Sequence, residues 1–203
     1  MKKIKIILPL CAVLLLIGCE KRLFHFIATI TQSPTFPINI TGNITGNFQL
    51  LIPVNSTAFQ NAFAIPAGGR IARVDIESLA LRAAAKSGNQ ATALQVTGVI
   101  LENGGIQQTI LFEQDTIAVG GADAPLSSLK RLNADGIGRL RSKIEGYVKN
   151  TTNQSFDIQL TGKIVPSGRS LVIDLQLVLI ATAKYDQCLE VPGLFSSGEK
   201  CGE

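Results

Sequence analysis

Residues 36–50 read FPINITGNITGNFQL. Every second position from Phe36 is apolar or glycine: Phe36, Ile38, Ile40, Gly42, Ile44, Gly46, Phe48 and Leu50. The positions between are Pro37, Asn39, Thr41, Asn43, Thr45, Asn47 and Gln49. Successive side chains of a strand point to opposite faces, so this alternation predicts one apolar and one polar face. It puts Ile44 toward a core and Asn43 and Thr45 toward solvent. Gly42 and Gly46 leave gaps in the apolar face. Glycine inside a strand marks a bend, a bulge or a close backbone approach, so the chain is expected to switch sheets here.

The same period recurs further along. SFDIQLTGKI, residues 155–164, places Phe156, Ile158, Leu160 and Ile164 on one face. SLVIDLQLVLIATAKY, residues 170–185, places Leu171, Ile173, Leu175, Leu177 and Leu179 together. Val172, Val178 and Ile180 make its other face only partly polar, as in a strand covered on both sides. Pro166-Ser167-Gly168 between these runs reads as a hairpin turn. Weaker strand patterns cover residues 24–31, 70–82, 92–102 and 107–114. DGIGRLRSKIEGYVKN, residues 135–150, differs: Ile137, Leu140, Ile144 and Val148 follow helical spacing behind Asp135, a candidate N-cap. A strand over residues 143–149 is the alternative. The expected fold is mostly β, an antiparallel β-sandwich or open barrel of about seven strands with one amphipathic helix packed on it. Phe156 and Leu175 are expected in its core.

The N-terminal stretch has a different character. Lys2, Lys3 and Lys5 precede an apolar run from Ile6 to Ile17, broken only by Pro9. The run is too short to span about 30 Å of hydrocarbon, which takes about 20 residues, and it has the layout of a secretory signal peptide. Leu16-Ile17-Gly18-Cys19 resembles the bacterial lipobox, with all four positions matching. The resemblance covers only residues 1–19. It implies cleavage before Cys19, a diacylglyceryl group on the Cys19 thiol, and a palmitate-labelled, lipid-anchored envelope protein. Glu20 is not the usual Asp retention signal, so the implied address in a Gram-negative cell is the outer membrane. Residues 1–18 are then the signal peptide and residues 19–203 a single β-rich domain.

Removing the signal changes the charge. The chain has 19 basic and 15 acidic residues, three of the lysines lie before Cys19, and every acid lies after it. The mature chain is thus about +1 and carries no global footprint for nucleic acid. The full chain's 46% hydrophobic content argues against a disordered body. Two cysteines remain after Cys19, namely Cys188 and Cys201. In an exported protein they are expected to form a disulfide closing a C-terminal loop. A redox pair is disfavoured, because the spacing is far from C-x-x-C.

The search for chemistry returns few positive signals. With His25 as the single histidine, neither a histidine-based triad nor a multi-histidine zinc site can be assembled. Ser127-Ser128-Leu129-Lys130 matches S-x-x-K, but the companion S-D-N and K-T-G elements are absent. Helix capping by Ser127 or Ser128 is the plainer reading. Asn133-Ala134-Asp135-Gly136 looks like part of a calcium loop, yet Arg131 and Ser142 stand where ligands belong. No phosphate-binding or dinucleotide loop occurs. No cofactor and no metal site are therefore expected. Asn39, Asn43, Asn55, Asn150 and Asn153 begin Asn-x-Ser/Thr triplets and read as polar strand faces and turns. The chain lacks Trp and has only Tyr147 and Tyr185, which disfavours a stacking carbohydrate module.

One positive feature is a basic cluster. Lys130, Arg131, Arg139, Arg141, Lys143 and Lys149 surround the expected helix, against only Asp135 and Glu145. It reads either as a contact face for an anionic partner or as a solvated helix face. The leading expectation is a non-enzymatic, lipid-anchored interaction or assembly module with an envelope protein partner. The alternative is a carrier holding a lipid or other apolar ligand between sheet and helix. A hydrolase would require a cleft with paired carboxylates of perturbed pKa.

Overall fold

The computed structural model describes residues 21–192. The chain divides into two compact units. The larger comprises Ile30–Ala64 and Arg73–Ala183; the smaller has described parts at residues 21–29, 65–72 and 184–192.

Nine strands and two helices are present among the described residues: β1 (Lys21–Gln32), β2 (Thr35–Thr45), β3 (Asn47–Val54), α1 (Ser56–Ala62), β4 (Arg70–Ala85), β5 (Ala93–Glu102), β6 (Gln107–Gly120), β7 (Ser127–Ser128), α2 (Ala134–Val148), β8 (Phe156–Val165) and β9 (Ser170–Pro192). The fold is mostly β, an open sheet with an amphipathic helix packed on it, as the alternation predicts. The strand order is β1-β9-β4-β6-β5-β8-β3, with β2 also on β9 and β7 on β4. Pairing is antiparallel in most of the sheet, but β4 meets β6 in parallel at Ala83–Val119 and Ala84–Gly120.

The opening stretch does switch partners. β2 runs antiparallel to β9 from Thr35–Val178 to Thr45–Ser170, with an irregularity between Ile40 and Ile44. β3 then picks up β8 at Asn47–Lys163. Gly46 lies between them at φ +99°, a conformation that costs a side-chain-bearing residue energy. The predicted hairpin at Pro166-Ser167-Gly168 needs correction. A turn is there, with Gly168 at φ +79°, but β8 and β9 are not neighbours in the sheet. Both run antiparallel to the same bent β2–β3 segment, one after the other. The turn therefore rounds a corner opposite Gly46 instead of folding one strand onto the other.

The core follows the predicted faces. Phe48, Ile52, Phe156, Ile158, Leu160, Ile164, Leu171, Ile173, Leu175, Leu177 and Leu179 are all buried. Val178 is buried as well, while Val172 and Ile180 are half-buried. Ile44 is half-buried and Thr45 exposed; the Asn43 side chain lies outside the described residues.

Two local readings are corrected. The N-cap of α2 is Asn133, whose side chain accepts from the backbone N–H groups of Asp135 at 3.0 Å and Gly136 at 3.1 Å. Asp135 sits inside the first turn, where a carboxylate faces the positive end of the helix dipole. The helix runs on to Val148, so residues 143–149 are not a strand. Ser127 and Ser128 cap no helix; they pair with Leu81 and Ala80 as β7. Helix α1 has no counterpart in the sequence reading. Asn55 caps it by accepting from the Ala58 N–H at 3.3 Å.

The helices seal one face of the sheet through aromatic rings. Tyr147 stacks on Phe156 with ring centroids 6.1 Å apart and lies 5.9 Å from Phe59. Its hydroxyl donates to the Gln154 carbonyl at 2.6 Å. Burial, with the Glu102 charge adding, pushes this phenol up to about 12. In the smaller unit the chain turns ahead of β4, with the Gly69 N–H donating to the Pro66 carbonyl at 2.9 Å. The Gln187 side chain donates to the Ala67 carbonyl at 3.2 Å. Phe26, Ile27 and Leu189 are exposed there.

Candidate interaction face

The basic cluster lies on residues 127–149 of the larger unit. The backbone of its first part is fixed from several sides. The Leu129 N–H donates to the Leu79 carbonyl at 2.9 Å, and the Asn133 N–H to the Leu111 carbonyl at 2.9 Å. The buried Asp115 carboxylate accepts from the backbone N–H groups of Lys130 at 3.1 Å and Arg131 at 3.2 Å. The acid is thus used up on backbone, and the side chains of Lys130 and Arg131 stand exposed. The segment is extended at Ser127–Ser128, so Lys130 is not one helical turn from Ser127, as serine–lysine chemistry requires.

The helical part of the cluster splits in two. Arg139 and Lys143, one turn apart, both face Glu102 at the end of β5, a carboxylate only 3% exposed. Arg139 donates through Nε at 2.5 Å and Nη2 at 3.1 Å. The Lys143 ammonium pairs with Oε1, the oxygen that Arg139 Nη2 also reaches. Burial alone would raise the Glu102 pKa, but the bonds and charges of Arg139 and Lys143 outweigh it and hold the carboxyl below its ordinary value. The same contact raises Arg139. Lys149 pairs with Glu145 one turn back. These three cations are occupied within the fold.

Arg141 points elsewhere. With Ile76, Leu132, Ala134, Ile137 and Asp75 it lines a cleft of about 420 Å³ between α2 and β4. Asp75 is already bonded to Arg73 at 2.6 Å. Among the described residues Lys130, Arg131 and Arg141 have no carboxylate partner. The structure thus divides the basic cluster: Arg139 and Lys143 pair with Glu102, whereas Lys130, Arg131 and Arg141 are exposed and Arg141 lines the cleft. Glu102 was missed from sequence, where it reads as the polar end of a strand before Asn103-Gly104.

Other expected positions are placed as follows. His25 lies on β1 and its side chain is outside the described residues. Cys188 is disulfide-bonded; Cys201 lies outside the described residues, as does Cys19. Among the described residues no helix is long and apolar enough to cross a membrane. Buried Leu140, Ile144, Tyr147, Phe59 and Phe156 occupy the space where an apolar ligand was considered between helix and sheet.

The fold is a β-rich domain that carries three exposed basic side chains, Lys130, Arg131 and Arg141. No family model and no curated protein matches the chain. Among solved structures it is similar to that of infectious bursal disease virus Gx strain, at 10% identity and a TM-score of 0.30, covering 85% of this chain and 43% of that one. The Gt strain structure gives 10% identity and a TM-score of 0.26, covering 87% and 42%. The chain spans less than half the length of these viral chains.

Proposed function

We propose that this chain is a lipid-anchored, non-enzymatic envelope protein whose β domain docks an anionic partner protein. One observation carries the docking: Lys130, Arg131 and Arg141 lack carboxylate partners, while the neighbouring Arg139, Lys143 and Lys149 each have one. Exposed cations without carboxylate partners favour association with a surface of opposite charge. The anchor rests on the lipobox resemblance at Leu16–Cys19. The filled helix–sheet interface favours docking over apolar cargo.

The test is in-cell crosslinking of the full chain. Reversing the three charges (K130E, R131E and R141E together) should abolish the dominant adduct and move the melting temperature by no more than about 2 °C per exposed substitution. A reversal at exposed Lys184 should leave the adduct intact. Adducts unchanged by the triple reversal would contradict the docking face.

A further inference from the structure

A second surface, on the outward face of β3, β8, β5 and β6 in the larger unit, is built from amides. Two rows cross these strands in register. Asn47 pairs with Lys163 and Lys163 with Gln95; two positions along, Gln49 pairs with Thr161 and Thr161 with Thr97. Residues two apart on a strand share a face, and adjacent strands lie about 4.8 Å apart. Six polar side chains therefore form a closely spaced grid. Together with Gln114 they line a cleft of about 500 Å³.

Gln114 gives the grid an edge. The register between β5 and β6 slips around Gly98, so β6 bulges there. Gln114 stands in the bulge at φ +49°, a left-handed conformation that non-glycine residues seldom adopt. Its N–H is held by the Thr97 hydroxyl oxygen at 3.1 Å. Bulges re-aim side chains beside functional sites, and a residue held in a sparse conformation points to a role for the side chain.

The chemistry of the lining is specific. Among the described residues, the side-chain amides of Asn47, Gln49, Gln95 and Gln114 make no protein hydrogen bond, so their donors and acceptors are open to a ligand. Each amide offers both functions, as hydroxyl groups require of their partners. Lys163 is the one charged lining residue and has no acidic neighbour in the cleft. Tyr147 and Tyr185 are both buried, so a sugar ring finds no stacking platform here and recognition is polar. We propose that this cleft binds an acidic glycan, with its hydroxyls on the amide grid and one carboxylate or phosphate on Lys163. The proposal is independent of the basic face.

The experiment probes the detergent-solubilised full chain with an array of neutral, uronic-acid and phosphosugar oligosaccharides. Binding is expected to acidic members, the uronate and phosphosugar arms showing which anion is preferred. Lys163→Gln should weaken it at least tenfold. Gln114→Gly is the sharper variant, because glycine suits φ +49° and removes only the amide. It should bind more weakly while melting at the same or a higher temperature. Silence across every acidic glycan would overturn the proposal, as would unchanged binding in both variants. Equal binding of neutral members, insensitive to Lys163→Gln, would overturn the role of the charge.

Discussion

Glu102 is the residue on which helix and sheet agree about charge. Its carboxyl is nearly inaccessible and holds two cations from α2. Glu102→Gln keeps the shape but leaves Arg139 and Lys143 without their anion. We expect a loss of about 1–3 kcal/mol, the range for stranding a hydrogen-bonding group, read by urea denaturation at neutral pH. The pH dependence follows from the direction of the shift. The folded carboxyl is held below its ordinary 4.5, so the unfolded chain takes up the proton first. The cluster's contribution is complete above that value and is lost as pH falls through the lower folded value. Melting curves for wild type and Glu102→Gln should therefore stay apart from pH 7 down to about 4.5, begin to converge there, and meet only below the lower folded value. Parallel curves would remove the cluster from the account. In the core, Phe156→Ala should cost about 3–5 kcal/mol and Leu175→Ala about 2–5, whereas Thr45→Ala should cost under 0.5 kcal/mol.

At the scale of elements, two glycines of α2 separate packing from propensity. A Cβ at Gly136 would collide with the Ile110 carbonyl and lie 2.7 Å from the Leu111 Cα. These are backbone atoms that cannot turn aside, so Gly136→Ala should push the helix off β6 and cost about 1–3 kcal/mol. Gly138 meets nothing within 4 Å, so Gly138→Ala should stabilise by about 0.5–1 kcal/mol. Thermal melts of the two variants should move in opposite directions. The strand faces were legible because burial on one side imposes period two on each strand separately. The sheet switch was legible because Gly42 and Gly46 leave visible gaps in that period. The partners were not. The turn at Pro166 resembles a hairpin turn locally, and only the long bent β2–β3 segment decides that β8 and β9 do not pair. Helix α1 was hidden because seven residues are too few for a helical period to show. The pairing inside the basic cluster was hidden for a similar reason: a buried acid distant in sequence, Glu102, pairs with Arg139 and Lys143, and spacing along the chain cannot reveal it.

At the scale of the molecule, the proposed lipid anchor at Cys19 lies at one end of the chain and the disulfide-bonded Cys188 near the other. Cys188 near the end of β9 is disulfide-bonded. If the expected partner Cys201 closes the loop, reduction removes about 3 kcal/mol for roughly 14 residues. The melting temperature should fall while the core strands persist, as read by far-UV circular dichroism with and without reductant. Loss of all β signal on reduction would show that the staple holds the core itself. The proposed docking through Lys130, Arg131 and Arg141 presupposes a chain held at the envelope through Cys19. Metabolic labelling with palmitate tests it most directly. The account predicts a labelled, processed wild-type chain and an unlabelled, unprocessed Cys19→Ser chain. Equal labelling of Cys19→Ser would contradict it.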